Sequence, residues 1–341
     1  MRLNCVLVVV AFYFSGTLGA QSKARDVDVA TGARDDRLLS RAAAAANDTL
    51  VPQATYDGGY SNATEIRLRI ANGGAGQSGL IGAWADAFIQ YSVQKLGQKP
   101  FKVGWYLGDT TQSLEFLDAG FVDIAVTYNE AAEMQSLQSK AAAQRVYGFR
   151  DHFLLVGPTS NPAGLDSSND DVLAMFNKIV SGGNADVASP PDETKRPAVR
   201  FLSRFDKSAT NIKESELFIT IGQVPWALVY SKWYHQYPRF PLQAIQAASL
   251  LSEYTLTDRG TWLSSPAEVT GKLTIFKAGG DNATDPLLNP AHVLLGSKAN
   301  PANTDIWNGF MEWVVQKDGG QKVIREFKKS DQVLYSEAPS D

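Results

Sequence analysis

The sequence predicts an α/β protein in which mainly parallel strands alternate with helices. Residues 65–70 alternate polar and apolar side chains, as a half-buried strand does. Residues 80–89 then carry apolar side chains at steps of three and four, as an amphipathic helix does. The alternation continues to Pro158 and starts again after it, as in a second unit. Such folds bind ligands beyond the carboxyl ends of their strands, so we expect a binding site there.

Turn residues separate the elements of the first unit. A Gly-rich turn at 72–79 opens the first helix and Gly97 ends it, whereas Asp109 is placed to cap a second helix that ends before Gly120. The predicted elements are, in order, a strand at 65–70, a helix from 80, a strand at 101–107, a helix at 110–119, a strand at 121–128, a helix at 130–143 and a strand at 151–158.

The second unit has longer connections between its elements. An aromatic-rich segment at 225–237 reads as helical, and we interpret its rings as packing residues rather than a stacking platform. The other predicted elements are a helix at 170–180, a solvated loop at 181–197, a strand at 199–203, a helix to 221 and a helix at 247–253. A strand, a turn and a helix start follow within 254–262, then strands at 272–276 and 291–296 and amphipathic helices at 304–316 and 320–327.

The amino-terminal residues are typical of a secreted protein. Residues 1–20 contain one positive charge, an apolar run and small residues at their end, which predicts a signal peptide. Cys5 is the only cysteine and lies within it, so the mature chain would have no disulfide. Residues 21–64 are charged and Ala-rich, and we expect a mobile leader. Three sequons predict N-glycosylation and an extracellular or cell-wall location after a eukaryotic secretory route: Asn47, Asn62 and Asn282.

Composition narrows the possible functions. With 341 residues and 44% hydrophobic residues, the chain can bury one large or two medium cores. The formal net charge is −4 and no Lys/Arg-rich run occurs, which disfavours nucleic-acid binding. After the predicted signal peptide no apolar run approaches about 18 residues, and the tail at 336–341 is polar. We therefore expect neither a membrane span nor a lipid-anchor signal.

The segment Ser203–Thr210 carries the strongest chemical signal. It joins Arg204 to the hydroxyls of Ser203, Ser208 and Thr210 at the start of an apolar-periodic segment. A helix N-terminus offers unpaired N–H groups and partial positive charge, and arginine adds a planar fork that matches pairs of oxygens. This combination suits an oxyanion. The alternative is a capped surface helix in which Arg204 pairs with Asp206.

The Gly-rich turn has two interpretations. Residues 74–79 match the G-x-G-x-x-G dinucleotide pattern, but a secreted, glycosylated protein meets little dinucleotide, and a tight strand-to-helix connection also needs glycines. In both cases bare N–H groups at the helix start are available to an anion. We expect no cofactor.

The sequence gives little support for catalysis. His152 and His292 lie in apolar strand-like runs, where a core histidine is the simpler interpretation, and His235 has no sequence context of a base. Residues 76–80 miss the nucleophile-elbow pattern by one position, and no His/Cys spacing typical of a metal site occurs. We expect a protein that is not an enzyme and holds no metal ion.

Several motifs resemble those of the tungstate-binding periplasmic proteins of ABC transporters, within the type II periplasmic-binding-protein superfamily. Residues 254–261 read YTLTDRGT, as in that family, and residues 151–165 (DHFLLVGPTSNPAGL) are similar to its NDFVIVGPKDDPAGI segment. Residues 287–290 match its LLNP element. The resemblance implies a two-lobed α/β fold of mainly parallel sheets flanked by helices, hinged around a cleft that closes on a small oxyanion. The lobes implied are 65–157 and 288–335 for the first and 158–287 for the second.

The resemblance also implies site residues. Residues 203–210 are similar to a Ser-Arg-Gly-Asp-x-Ser-Gly-Thr loop, but Phe205 and Ala209 replace its glycines, so the loop could bend or the pocket could be partly filled. Ala71–Gly74 replaces a Thr-Thr-Thr-Ser run, which removes hydroxyl donors from that wall. The implied ligand-binding residues are Asn72, Gly73, Gly74, Ser78, Ser203, Arg204, Ser208 and Thr210. Asp206 would orient Arg204, and Asp258 and Arg259 are supporting candidates.

Two functional hypotheses follow. The first is a secreted, monomeric solute-binding protein that captures tungstate, molybdate or another small oxyanion; the sequence specifies no transporter partner. The second is an extracellular interaction protein that keeps the binding-protein scaffold but has lost anion binding. An enzyme using the same cleft is disfavoured because no nucleophile–base pair is found.

Overall fold

A computed structural model describes residues 50–227 and 231–340. The predicted signal peptide and the predicted leader up to residue 49 lie outside the described residues, as do Cys5 and Asn47. Among the helices that are described, none is both long and apolar enough to cross a membrane.

The elements largely follow the predicted alternation. The helices are α1 (Gly74–Ser78), α2 (Leu80–Lys95), α3 (Thr110–Ala119), α4 (Glu130–Gln138), α5 (Val172–Ala188), α6 (Ala209–Thr220), α7 (Pro241–Leu251), α8 (Arg259–Ser264), α9 (Ala267–Thr270), α10 (Thr304–Val314) and α11 (Gly320–Glu326). The strands are β1 (Ala54–Tyr56), β2 (Ile66–Asn72), β3 (Lys102–Leu107), β4 (Ile124–Thr127), β5 (Ala142–Pro158), β6 (Phe201–Ser203), β7 (Tyr234–Gln236), β8 (Tyr254–Asp258), β9 (Leu273–Ala278), β10 (Leu288–Gly296), β11 (Lys328–Lys329), β12 (Gln332–Val333) and β13 (Ser336–Glu337).

The first lobe is built on three parallel strands. Ile70 of β2 lies opposite Trp105 of β3 and Ile124 of β4, and β1 and β10 join antiparallel at β3 and β4. Helices α2 and α10 bury aromatic side chains against this sheet, with the rings of Trp84 and Phe310 edge-to-face at 6.2 Å. The apolar side chains that recur along α2 therefore face the core of this lobe.

The second lobe repeats the arrangement with a separate core. Phe201 of β6 lies opposite Tyr234 of β7 and Tyr254 of β8, and all three strands are parallel. Phe176 of α5 and Phe218 of α6 pack against this sheet with ring centroids 4.8 Å apart. Trp233 and Tyr234 are buried in the same core, so the prediction that rings of the 225–237 segment are packing residues is confirmed for these two.

Strand β5 links the two lobes. It is 17 residues long; residues 142–152 pair with β10 and residues 153–158 pair with β8 and β9, all antiparallel. The chain returns to the first lobe between β9 and β10. The α/β, two-lobed fold class is confirmed, and the sheet is mixed because antiparallel strands join the two parallel sets.

The predicted leader is shorter than expected at its carboxyl end. Within the segment expected to be mobile, Ala54–Tyr56 forms β1 and pairs with β3. The ring of Tyr56 lies against Gly82 of α2, where an added Cβ would come within 2.7 Å of it. A small residue on the helix therefore creates the site that holds this strand.

The predicted loop at 181–197 is wrong over its first half, because α5 continues to Ala188. Gly182 and Gly183 resemble loop residues in the sequence, but they allow close packing. A Cβ on Gly183 would come within 2.4 Å of the buried ring of Trp233, and one on Gly182 within 3.0 Å of Val199.

The helix predicted at 225–237 is also wrong. The described residues there form a 3₁₀ turn at Pro225–Ala227 and strand β7, while residues 228–230 are not described. Pairing with β6 and the hydrogen bond donated by the Tyr234 hydroxyl to Ser203 Oγ at 2.8 Å hold this segment extended. Tertiary pairing outweighs the local pattern here.

Candidate functional site

A cavity of about 380 Å³ lies where the parallel strands of both lobes end. The residues that line it next to the strand ends are Gly73 after β2, Asp109 after β3, Tyr128 after β4, Arg204 after β6, Pro238 after β7 and Asp258 at the end of β8. The cavity is therefore located where the alternation of strands and helices predicts a ligand site.

Three long helices begin at the cavity wall. Thr110 of α3, Thr210 of α6 and Pro241 of α7 lie in the first turns of helices with 10, 12 and 11 residues, and all three line the cavity. Each N-terminus carries about half an elementary positive charge and N–H groups without an intrahelical partner. Their convergence makes the potential in the cavity favourable for an anion.

Arg204 supplies a fixed positive charge in the wall. Its side chain is 4% exposed, and one terminal nitrogen donates to Asp206 Oδ2 at 2.6 Å. Its Nε is buried and has no hydrogen-bond partner among the described residues. Asp206 Oδ1 accepts from the backbone N–H of Ser208 at 2.9 Å and from its hydroxyl at 2.5 Å. Asp206 thus fixes both Arg204 and the loop that leads into α6.

Four carboxyl groups also line the cavity, and each has its own partner or environment. Asp109 accepts from the N–H of Gln112 at 2.9 Å in a capping box at α3, and Asp206 pairs with Arg204. Asp258 accepts from the N–H of Thr261 at 2.7 Å and caps α8. For Asp151, burial and the neighbouring Asp258 carboxylate raise the pKa well above its ordinary value.

Comparison with known proteins assigns the fold to a family. The sequence profile of the PBP superfamily domain matches residues 40–318. The chain belongs to the PBP superfamily.

Individual members of the PBP superfamily are similar over most of the chain. The tungstate-binding protein TupA of Peptoclostridium acidaminophilum is 26% identical over 64% of this chain and 69% of the relative. The solved tungstate-binding protein TupA of Desulfovibrio alaskensis G20 is 25% identical, with a TM-score of 0.61, and 81% of this chain and 100% of that one are covered. A solved periplasmic protein whose proposed role is metal binding is 48% identical, with a TM-score of 0.76, and 85% of this chain and 100% of that one are covered. The similarity to tungstate-binding proteins inferred from the motifs is confirmed.

Five of the eight predicted ligand-binding residues line the cavity of this PBP superfamily member: Gly73, Gly74, Arg204, Ser208 and Thr210. Gly73 is required by close approach, because a Cβ there would come within 2.9 Å of the carbonyl oxygen of Gly108. Ser208 caps α6 by accepting from the N–H of Asn211 at 3.3 Å.

Asn72 and Ser78 are corrected, because neither lines the cavity. The Asn72 amide is fully buried; it donates to the carbonyl of Val126 at 2.7 Å and accepts from the N–H of Gly76 at 2.7 Å. The Ser78 hydroxyl donates to the carbonyl of Ala75 at 2.9 Å and lies 2.8 Å from the hydroxyl of Tyr335. Asn72 thus stabilises the start of α1 and Ser78 its end.

Ser203 is corrected for the same reason. Its hydroxyl is fully buried behind the loop, donates to Glu214 Oε1, and accepts from the Tyr234 hydroxyl at 2.8 Å and from the N–H of Phe205 at 3.0 Å. Burial raises the pKa of Glu214 to about 8. Ser203 therefore belongs to a buried polar cluster beneath Arg204 and does not line the cavity.

Phe205 does not fill the pocket. Its backbone adopts the left-handed conformation with φ of 42°, and its ring is 40% exposed and edge-on to Tyr234 at 6.4 Å. This conformation is the one that glycine adopts without strain. The loop therefore keeps a glycine-like turn while the phenylalanine side chain lies outside the cavity.

The two supporting candidates at 258–259 have different locations. Asp258 lines the cavity, whereas Arg259 does not and is half-buried in the first turn of α8. Asp258 accepts from the N–H and the hydroxyl of Thr261, and no ion pair between Asp258 and Arg259 is formed within the described part of the chain. The predicted pair between Arg204 and Asp206 is confirmed.

The histidines lie outside the cavity lining. His152 and His292 are buried in β5 and β10, which confirms them as core residues. Each histidine contacts a carboxylate: His152 with Asp281, His235 with Glu253 and His292 with Glu133. Among the described residues, no three His, Cys, Asp or Glu side chains are grouped so that they could hold a metal ion.

Several lining residues were not predicted as site residues. Tyr128 follows β4, and the rule that places ligands beyond strand ends could have identified it. Asp151 and Asn289 lie opposite each other in the pairing of β5 with β10, and no local sequence signal marks that pairing. Arg239 precedes α7 in a segment for which the sequence predicts no element.

Proposed function

We propose that this protein is a non-catalytic solute-binding protein that captures a small tetrahedral oxyanion, tungstate or molybdate in the first place, in the cavity between its lobes. The observation that carries the proposal is the buried guanidinium of Arg204, whose Nε has no partner among the described residues. A buried donor without an acceptor is costly, and a bound oxyanion provides acceptors that match the guanidinium fork.

The start of α6 provides the neighbouring donors. The N–H groups of Ala209 and Thr210 belong to the first helical turn, which has no intrahelical carbonyl to bond. The Ser208 hydroxyl already donates to Asp206, so we assign the Thr210 hydroxyl, which lines the cavity, to the ligand. The N-termini of α3 and α7 add positive potential from both lobes.

The comparisons support this assignment. Two similar proteins, from Peptoclostridium acidaminophilum and Desulfovibrio alaskensis G20, are named for tungstate binding. Tungstate and molybdate are tetrahedral dianions, so a buried arginine with several N–H donors provides the same type of recognition for both. Titration with each ion measures which of the two binds more tightly.

We also propose that the protein is secreted and N-glycosylated. The support is the predicted signal peptide together with Asn62 and Asn282, which are both exposed in sequons. Treatment of the secreted protein with peptide-N-glycosidase should lower its mass, and Asn62→Gln and Asn282→Gln should each remove one glycan. An unchanged mass of the wild-type protein would contradict the proposal.

Thermal unfolding with added anions tests the proposed ligand. The secreted protein is heated alone and with millimolar tungstate, molybdate, sulfate or phosphate. A ligand at 100 times its dissociation constant stabilises the folded state by about 2.7 kcal/mol, which raises the melting temperature by several degrees. We expect that rise with tungstate or molybdate. No rise with any of the four anions would contradict the proposal.

The second candidate is an extracellular interaction protein that keeps the scaffold without anion binding. It is favoured because Asn72, Ser78 and Ser203 do not line the cavity, which therefore has fewer hydroxyl and amide donors than the sequence predicts. The same unfolding experiment separates the two candidates, because this one predicts no response to any of the anions.

A further inference from the structure

The wall between the two lobes places two carboxyl groups on neighbouring strands. Asp151 and Phe153 alternate with His152 along β5, and both line the cavity. Phe153 lies directly opposite Asp258 of β8, so Asp151 lies diagonally across from Asp258. On the other side, Asp151 is opposite Asn289 of β10. The strand register therefore brings two acidic groups close together on one face of the sheet.

Asp151 has hydrogen-bond donors but no countercharge. It is 4% exposed; Oδ1 accepts from the N–H of His152 at 2.7 Å, and Oδ2 accepts from the amide of Asn289 at 3.3 Å. None of the ion pairs formed within the described part of the chain includes Asp151. A buried carboxylate without a cation is strongly disfavoured relative to the neutral acid.

The groups around Asp151 favour the neutral acid. Burial raises its pKa most, and the Asp258 carboxylate raises it further; Arg259 and the two hydrogen bonds act in the opposite direction and do not compensate. The titratable and charged groups that face it are Asp258 and Arg259 at the end of β8, Tyr128 after β4, Tyr335 near the carboxyl terminus, and His152 beside it on β5. Arg204 and Asp206 line the same cavity from the second lobe.

We propose that Asp151 is a specificity-determining residue of this cavity: as a neutral carboxylic acid it donates a hydrogen bond to one oxygen of a fully deprotonated oxyanion. Oδ1 accepts the N–H of His152 at 2.7 Å, so we place the proton on Oδ2, whose partner, the Asn289 amide nitrogen at 3.3 Å, is a donor. A ligand oxygen in the cavity would supply an acceptor for this O–H. The inference rests on the proposed oxyanion-binding function.

A donor at Asp151 favours anions whose oxygens are all deprotonated over anions that carry an O–H group. Arg204, the N–H groups at the start of α6 and the Asp151 O–H all donate, so a ligand oxygen that meets these groups has to accept. Every oxygen of tungstate and molybdate satisfies this requirement, whereas a P–OH of hydrogen phosphate directed at these groups would face a donor without an acceptor. A mismatched buried donor costs at least about tenfold in affinity. If Asp151 ionises, it becomes an acceptor, repels a dianion and reverses the preference.

The first test is a titration of the whole secreted protein with tungstate by calorimetry over a series of pH values. The Asp151 pKa is raised, so the donor is present below the folded-state pKa and lost as pH rises through it. We expect wild-type affinity to fall by about tenfold or more across that range. In Asp151→Asn the amide stays a donor, so the affinity should no longer depend on pH there. An equal pH dependence in wild type and Asp151→Asn would overturn the inference.

Two further variants separate a donor role from a structural one. Asp258→Asn removes the neighbouring negative charge, so the fall in affinity should start at lower pH than in wild type, a shift that a merely structural residue would not produce. Asp318→Asn, an exposed aspartate outside the cavity lining, is the matched control and should reproduce the wild-type curve.

A ligand-free readout distinguishes failure of this inference from failure of the proposed function. Infrared difference spectra of wild type minus Asp151→Asn at neutral pH should contain the carbonyl band of a protonated carboxylic acid. Without that band the inference is wrong, even if tungstate binds. If the band is present but wild type binds none of the anions at any pH, the proposed function and the donor role both fail.

Discussion

Replacement of Arg204 with alanine tests the centre of the proposed site. The guanidinium is 4% exposed, donates to Asp206 at 2.6 Å and has a buried Nε without a partner among the described residues, which we assign to the ligand. Truncation of one partner of a buried hydrogen-bonded charge pair costs about 2 to 5 kcal/mol, which corresponds to a roughly 30- to 5,000-fold loss of affinity when the other partner is the ligand. We expect Arg204→Ala to weaken tungstate binding by that factor in a calorimetric titration.

The cost to the fold should be smaller than the cost to binding. After the substitution Asp206 still accepts both the N–H and the hydroxyl of Ser208, and its side chain is 22% exposed, so water can solvate the free carboxylate oxygen. We expect a loss of about 1 to 3 kcal/mol in the free energy of unfolding, measured by urea denaturation.

Two arginine variants make the experiment interpretable. Arg204→Lys keeps the charge but not the planar fork, so its tungstate affinity should lie between those of wild type and Arg204→Ala. Arg239→Ala removes an exposed arginine from the rim of the same cavity, where its guanidinium donates to the carbonyl of Pro238, and should lower affinity by no more than about fivefold. If folded Arg204→Ala binds tungstate as tightly as Arg239→Ala does, Arg204 is not the anchor of the anion.

Three further substitutions test the supporting structure. Ser203→Ala leaves the Tyr234 hydroxyl without its acceptor and should lower the free energy of unfolding by about 1 to 3 kcal/mol while tungstate affinity changes by less than about threefold; a large affinity loss in the titration would return Ser203 to the site. Burial raises the pKa of Glu214 from 4.5 to about 8, so its contribution to stability is complete below pH 4.5 and is lost towards pH 8, by up to about 1.4 kcal/mol per pH unit. Glu214→Gln should therefore flatten the decline in urea-denaturation free energy over that range, and a slope equal to wild type would contradict the assignment. Gly183→Ala places a methyl group 2.4 Å from the Trp233 ring and should destabilise the fold by about 1 to 3 kcal/mol by the same assay; unchanged stability would show that this contact does not require glycine.

Local patterns predict the elements of this fold where the signal lies within a few residues. Asp109, Ser208 and Asp258 are polar residues placed directly before apolar-periodic segments, and each caps a helix in the structure. The same reasoning fails where the partner is distant in sequence. The sequence around Gly183 predicts a loop, because the packing of Trp233 against it is not visible in the sequence. The sequence of β7 predicts a helix, because its pairing with β6 is not visible either.

The sequence predicts the location of the site better than its donors. Side-chain type and spacing placed Arg204 and Asp206 correctly, because their pairing is local. Whether a hydroxyl faces the cavity depends instead on buried partners elsewhere: Ser203 is held by Glu214. Asp151 is the opposite case: it was not predicted at the site, and it lines the cavity because β5 pairs with β8 and β10.

Under the proposed oxyanion-binding function, the convergence of helix N-termini predicts that the ligand controls closure of the lobes. Helix α3 belongs to the first lobe and α6 and α7 to the second, so closing the cavity brings like partial charges together. The direct contacts recorded between α3 and the loop before α6 are weak: the Thr111 hydroxyl donates to the carbonyl of Lys207 at 3.2 Å, and the exposed pair of Lys207 with Glu115 spans 3.7 Å. An anion held between these termini reverses the repulsion, because it attracts each of them at once. The energy for closure would then come from the bound oxyanion, and Arg204→Ala would weaken closure together with affinity.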